Sequence, residues 1–200
     1  MAKSKSLHAM DYLADPKRHE ARPFCVAHGD DSFLKEQVRK SMRAVLLPDE
    51  EADFSYTEFE GRSATLKDVI EELSTMAMFG GGRRFIVVED ADDFVTRFRT
   101  ELENYAAKPR SKAVLFLEVK TWPSNTRLAK SIAQTGFPID CSAPKSAKLD
   151  FWVESWGKER HGVKLTSAAA SFLVESVGDE LGLLDRELSK LALIAAPDKP

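Results

Sequence analysis

Two short segments carry residue types that could bind a phosphate or a metal ion. His28-Gly29-Asp30-Asp31-Ser32 lies between an apolar run and a helical pattern, which is where glycine-rich loops hold the phosphates of a nucleotide. The loop has no lysine and no GxxxxGK spacing, and its two aspartates would repel a polyphosphate. Val87-Val88-Glu89-Asp90 resembles an acidic strand end that positions magnesium, but it has no phosphate loop to act with. We therefore expect no nucleotide, cofactor or metal site.

The other chemistry-bearing side chains form no catalytic set. No Ser, Cys or Asp lies at a spacing that implies a triad with any of the four histidines, His8, His19, His28 and His161. Cys25 and Cys141 lie inside apolar stretches, without a CxxC or Cys/His spacing, and are typical of reduced core cysteines. The sequence predicts a protein with no active site of its own.

Composition places the chain among cytoplasmic globular proteins. Its 200 residues are 43% hydrophobic and 30% charged, which suffices for a packed core. A net charge of −3 argues against a chain that coats DNA or a membrane by bulk electrostatics. The N-terminus has no apolar run fit for a signal peptide, and no stretch approaches the ~18 apolar residues that span a bilayer.

From Pro23 to Cys141 short apolar runs alternate with amphipathic ones. The runs that predict strands are PFCVAHGDD, DFSYTEFEG, RRFIVVED, AVLFLEV and FPIDC. The amphipathic patterns predict helices over roughly residues 32–47, 65–79, 93–106 and 126–135. Alternating strands and helices imply right-handed crossovers. The expected fold class is α/β, with a mostly parallel five-stranded sheet and flanking helices.

The pattern becomes helical after Cys141. Three helices are expected over about residues 146–160, 166–177 and 179–195. They would form a small lid over residues 143–200, after an α/β domain over residues 1–142. Trp152 and Trp156 share a helix face, and we expect them, with Phe151, to pack between the lid helices.

Four segments occur in a characteristic order: PFCVAHGDDSFLKEQ, LSTMAMFGGGRRFIVVEDADDF, KAVLFLEV and VESVGDELGLLDRELSKLAL. In this order they resemble the delta subunit of bacterial DNA polymerase III, a component of the clamp loader. The resemblance implies an AAA+-like (P-loop NTPase type) domain without ATP-binding residues, followed by a helical lid. It also implies a third, helical collar domain, which is absent from these 200 residues. We expect this chain alone to be a monomer.

In that family the tip of the helix before a glycine turn inserts into a hydrophobic pocket of the sliding clamp. By motif, the resemblance assigns this role to Met78 and Phe79. A helix that continued through Phe79 would direct both away from the apolar face formed within residues 66–77. In the alternative, the helix ends early and Phe79 folds back into the core. Arg83 and Arg84, next in sequence, could flank an acidic rim on the clamp.

The predicted function is that of a clamp-loader subunit of the replicative DNA polymerase. It would bind and help open the sliding clamp without hydrolysing ATP itself. Its expected partners are the clamp and the other loader subunits, with primed DNA contacted only indirectly through the complex. Two alternatives remain open from the residues: a nucleotide-dependent enzyme with an unorthodox phosphate loop around Gly29–Ser32, and an interaction domain unconnected with replication.

Overall fold

The computed structural model describes residues 6–48, 54–75, 83–110 and 112–195. The chain divides into two compact units, Met1–Ser142 and Ala143–Pro200. The first unit is an α/β domain and the second is helical. None of the helices in the described ranges is long and apolar enough to cross a membrane.

The described part of the first unit contains six strands in one sheet, and all neighbouring strands are parallel. In chain order the strands are β1 (Leu7–His8), β2 (Phe24–His28), β3 (Tyr56–Glu60), β4 (Arg84–Glu89), β5 (Ala113–Val119) and β6 (Gly136–Asp140). Their order across the sheet is β1-β6-β2-β5-β4-β3. The predicted parallel α/β fold is therefore confirmed.

Six α-helices connect these strands in the described residues. They are α1 (Ala9–Ala14), α2 (Ser32–Leu46), α3 (Leu66–Ser74), α4 (Asp92–Arg97), α5 (Arg99–Ala107) and α6 (Arg127–Thr135). The chain crosses the sheet in one direction from β1 to β3 and returns from β3 to β6. Because parallel crossovers are right-handed, the outward helices α1 and α2 lie on one face and the returning helices α3 to α6 on the other.

Both faces of the central strands are buried, as their unbroken apolar runs predicted. Alternate residues such as Phe24, Ile86 and Leu115 join one core cluster with side chains from the returning helices. The intervening residues face α2; among them Phe85 and Phe116 pack edge to face, with ring centroids 5.7 Å apart. Helices on both faces therefore exclude water from β2, β4 and β5.

The prediction of five strands omitted β1. Leu7 and His8 pair in parallel with Ile139 and Asp140 of β6. A strand of two residues at the border of a sheet has too little length to show a period in its hydrophobicity. Its pairing depends on a strand more than a hundred residues later in the sequence.

Two predicted helices differ from the observed ones. The helix expected to reach Phe79 ends at Ser74, where Thr75 turns to an extended conformation. The single helix expected over residues 93–106 is two helices, because Phe98 interrupts it with ψ +27° and packs its ring against Phe94. The other helices begin within about three residues of their predicted starts.

The second unit contains α7 (Leu149–Arg160), α8 (Ser167–Val177) and α9 (Leu181–Ala195) in its described residues. Trp152 and Trp156 are buried and stack with ring centroids 5.4 Å apart, as their shared helix face predicted. The Trp156 indole N–H donates to Asp185 Oδ1 over 2.7 Å, and His161 Nε2 lies 2.7 Å from the same oxygen. This link joins α7 to α9.

Phe151 corrects the prediction for this unit. It was expected to pack with the two tryptophans, but its side chain is 73% exposed. At about 100° per residue, Phe151 lies roughly opposite the buried Leu149, Val153 and Trp156 on the helix.

Replacing Trp152 and Phe151 singly with Ala should therefore give very different results. Loss of the buried Trp152 side chain should lower the free energy of unfolding by about 3–5 kcal/mol. Loss of the exposed Phe151 should change it by no more than about 0.5 kcal/mol. Urea denaturation followed by circular dichroism measures both, and equal losses would contradict the observed packing.

Candidate functional site

The loop between β2 and α2 is held closed by its own backbone. The Gly29 N–H donates to the Val119 carbonyl and the Asp31 N–H to the Cys141 carbonyl, each over 3.2 Å. Gly29 has φ +140°, and a Cβ atom there would lie 2.4 Å from the Cys141 carbonyl carbon. The Asp31 carboxylate accepts a hydrogen bond from Leu34 N–H over 2.7 Å and caps α2. Amide groups that a phosphate loop would direct at a nucleotide are therefore used inside the domain.

Arg39 of α2 binds carboxylates from three neighbouring strands. Its Nη1 atom lies 2.8 Å from Glu58 Oε1 on β3 and also contacts Glu89 on β4. Its Nε atom lies 3.4 Å from Glu118 Oε1 on β5. Glu89 belongs to the strand end that resembled a magnesium site in the sequence. The Arg39 guanidinium group therefore offsets the negative charge at this strand end.

Glu118 is the most buried of these three carboxylates. Burial raises its pKa, while the positive charges of Arg39 and the buried Lys35 oppose the rise. Its Oε1 atom has no hydrogen-bond partner among the described residues, so its attraction to Arg39 is coulombic. In the same described part of the chain, no group of three or more His, Cys, Asp or Glu residues could hold a metal ion.

Met78 and Phe79, which are predicted to insert into the clamp pocket and are called the plug below, lie outside the described residues. The last described residue before them is Thr75, whose N–H donates to the Glu71 and Glu72 carbonyls at 3.0 and 3.3 Å. Because Thr75 is extended, the helical projection that directed Met78 and Phe79 away from the core no longer applies. Their assignment depends on the family motif.

The two candidate rim arginines have different surroundings. Arg84 is only 8% exposed; its guanidinium pairs with Glu72 of α3 and donates to Thr57 Oγ1 over 3.3 Å. Arg83 is half-buried, and its guanidinium donates to the Ala21 carbonyl over 3.0 Å. Only Arg83 of the two therefore keeps part of its charged group at the surface.

Sequence reasoning missed Arg39, Lys35 and Glu118, although each carried a signal. Lys35 and Arg39 are four residues apart and adjoin the apolar stripe of α2. Glu118 interrupts the apolar run AVLFLEV. Charged side chains are seldom buried without a partner, so charges within a buried pattern indicate an internal ion cluster.

A family model described as DNA polymerase III, delta subunit, matches residues 26–142, more than half of the chain. No curated protein sequence matches the chain significantly. The solved structure of the Bacillus subtilis DNA clamp loader delta protein is similar with a TM-score of 0.76 and 20% identity, over 94% of this chain and 57% of that one.

Two Thermotoga maritima proteins show more distant similarity. The RuvB Holliday junction branch migration motor gives a TM-score of 0.52 at 11% identity, over 92% of this chain and 60% of that one. A DNA polymerase III gamma subunit-related protein gives 0.50 at 16% identity, over 94% and 57%. The chain spans less than two thirds of the length of each of these three structures. These likenesses confirm the AAA+-like fold.

The buried carboxylate predicts a pH dependence of stability. The pKa of Glu118 is raised in the folded chain. The contribution of this carboxyl group to the free energy of unfolding is therefore most favourable below its unfolded pKa, and it is lost as pH rises through its folded pKa. Glu118→Gln cannot ionise, so its melting temperature relative to wild type should increase from about pH 4.5 upward. Scanning calorimetry at several pH values measures this difference. Glu101→Gln, the same charge change at an exposed position, is the control; an equal trend in both variants would contradict the assignment.

Proposed function

The chain belongs to the DNA polymerase III delta subunit family, and from this premise we propose that it binds the sliding clamp and helps to open it during clamp loading. In this proposal Met78 and Phe79 insert into a hydrophobic pocket on the clamp, and Arg83 contacts the rim of that pocket. The chain hydrolyses no ATP itself and acts in the cytoplasm. Its further partners are the other loader subunits, and it meets primed DNA only through their complex.

The geometry of the β2–α2 loop is the observation that carries the non-catalytic part of the proposal. Asp31 occupies the N-terminus of α2, where a phosphate would otherwise accept the free amide hydrogen bonds. Arg39 engages Glu89, the counterpart of a magnesium-positioning carboxylate. In this proposal, the amide groups that would bind phosphate and the carboxylate that would position magnesium are instead used in contacts within the domain. This favours a protein-binding role over the alternative of a nucleotide-dependent enzyme.

Arg83 remains in the proposal and Arg84 does not. An arginine that contacts a partner must reach the surface, and Arg84 is only 8% exposed, with its guanidinium group on Glu72 and Thr57. Removing Arg84 would also leave Glu72 without its cation and disturb the packing of α3 on β4.

We expect no measurable binding of ATP or GTP in the presence of magnesium. The loop lacks the phosphate-binding lysine and places Asp30 and Asp31 where a polyphosphate would lie. Isothermal titration calorimetry tests this directly. The double variant Asp30→Asn, Asp31→Asn removes the repulsion while keeping side chains that can cap α2, and it should also fail to bind. Micromolar affinity in the wild-type chain would favour the enzyme alternative.

Replacing both Met78 and Phe79 with Ala should weaken clamp binding far more than folding. A central hydrophobic anchor contributes about 2 kcal/mol or more, which corresponds to a loss of affinity of at least about thirtyfold. In this proposal the pair packs against the clamp and not in the core, so the free energy of unfolding should change by no more than about 0.5 kcal/mol. Surface plasmon resonance and urea denaturation measure the two quantities.

Phe172→Ala is the matched control for this experiment, because Phe172 is 71% exposed on α8 of the second unit. It should leave clamp affinity unchanged. If the Met78, Phe79 double variant instead melts several degrees lower, the pair belongs to the core and the plug assignment fails.

A further inference from the structure

The N-terminal ends of the three central strands carry positive charges. Arg22 precedes β2, Arg83 precedes β4 and Lys112 precedes β5. Because all strands are parallel, these residues meet at the same end of the sheet. The loop between α5 and β5 adds Lys108 and Arg110 there. We call these five residues the basic end.

The C-terminal ends of the same strands are acidic. Asp30 and Asp31 follow β2, Glu89 ends β4, and Glu118 is the penultimate residue of β5. The acidic run that precedes β3 belongs to residues 49–53, outside the described residues, so the basic end is defined on β2, β5 and β4 alone. Arg39 and Lys35 of α2 offset the charges of Glu89 and Glu118, and the exposed Lys120 follows β5.

Hydrogen bonds place the cations of the basic end close together. The Arg84 N–H donates to the Lys112 carbonyl over 3.0 Å, and the Leu115 N–H donates to the Pro23 carbonyl over 2.9 Å. Arg83 reaches across β5 to the Ala21 carbonyl. Neighbouring strands lie about 4.8 Å apart, so Arg22, Lys112 and Arg83 begin three strands that together span about 10 Å.

Arg22 and Arg83 donate to the Gly136 and Ala21 carbonyls, over 3.1 and 3.0 Å, but carboxylates among the described residues neutralise little of this charge. Glu20 lies 3.4 Å from Arg83 and is itself largely exposed. Within the described ranges, no carboxylate pairs with the exposed Arg22, Lys108, Arg110 or Lys112. An array of like charges with so few carboxylate partners can attract an external anion.

A cavity of about 380 Å³ opens beside the basic end. Lys108 and Arg110 line it, together with Tyr105 of α5 and with Ile70 and Ser74 of α3. The chain leaves the described residues at Thr75, directly after α3, and returns at Arg83. The proposed plug segment is therefore joined at both of its ends to this part of the domain.

We propose that the basic end is the electrostatic part of the clamp interface and docks a carboxylate-rich protein surface beside the pocket that receives Met78 and Phe79. This inference rests on the proposed function and adds Arg22, Lys108, Arg110 and Lys112 to the residues that recognise the clamp. The apolar plug holds the complex, and the basic end directs the encounter and sets its orientation.

The size of the basic end favours a protein surface over nucleic acid. Proteins that bind duplex DNA through its backbone contact about 6–10 phosphates along an extended track. Five cations within about three strand widths match a local cluster of carboxylates instead. The net charge of −3 would further oppose a long polyanion.

The test compares two charge reversals of equal size. Lys108→Glu with Arg110→Glu changes the basic end, and Lys120→Glu with Lys130→Glu changes two exposed positions away from it. Association and dissociation rates with the sliding clamp from the same genome are measured at about 0.1 M and about 1 M salt, where the Debye length falls from about 10 to about 3 Å.

At the lower salt concentration, the reversal at the basic end should weaken binding about tenfold or more, mainly through slower association. The control pair should change affinity by less than about twofold, and the difference between the pairs should largely disappear at the higher salt concentration. Lys108→Gln with Arg110→Gln should lie between wild type and the reversal, because it removes the charge without inverting it.

Equal weakening by both pairs, or a loss that persists at high salt, would overturn the inference. The same reversal is also tested on a duplex DNA of about 20 base pairs; if it lowers DNA affinity and leaves clamp affinity intact, the basic end binds nucleic acid and the inference is wrong. If the wild-type chain binds the clamp and neither charge reversal changes that binding, this inference fails but the proposed function stands. A wild-type chain that does not bind the clamp would remove the proposed function with it.

Discussion

The all-parallel pairing of the strands is the constraint on which the rest of this domain depends. Parallel strands require a crossover for each connection, and crossovers are right-handed. With the strand order β1-β6-β2-β5-β4-β3, this rule assigns α1 and α2 to one face and α3 to α6 to the other. Both faces are then covered, which is why β2, β4 and β5 consist almost entirely of apolar residues.

The parallel pairing also brings the C-terminal ends of all strands to the same end of the sheet. Charged side chains at those strand ends therefore become neighbours. Glu58, Glu89 and Glu118 come from three strands and would repel one another if nothing separated or neutralised them. Arg39 lies among them from α2, and Lys35 adds a second buried cation on the same helix. These ion contacts between one basic helix and three strand ends hold α2 against the sheet.

The β2–α2 loop pairs its backbone amide groups within the domain. A helix that begins behind a phosphate loop leaves amide groups free for the ligand, and without a ligand those groups need other partners. Here Asp31 caps α2, and Gly29 and Asp31 donate to the ends of β5 and β6. These contacts satisfy the loop from within the domain, which suits a subunit whose proposed task is to bind another protein.

The sequence by itself determined the elements whose signals are local. Apolar runs located β2, β4 and β5, and Thr65, Thr126 and Thr166 mark the starts of α3, α6 and α8, where each side chain caps its own helix. Tertiary structure alone decided the pairing of β1, the break at Phe98, the end of α3 at Ser74, the burial of Arg84 and the gathering of three carboxylates around Arg39. Each of these depends on residues far apart in the chain that become neighbours only when the strands are ordered, and a local period or cap contains no information about that order.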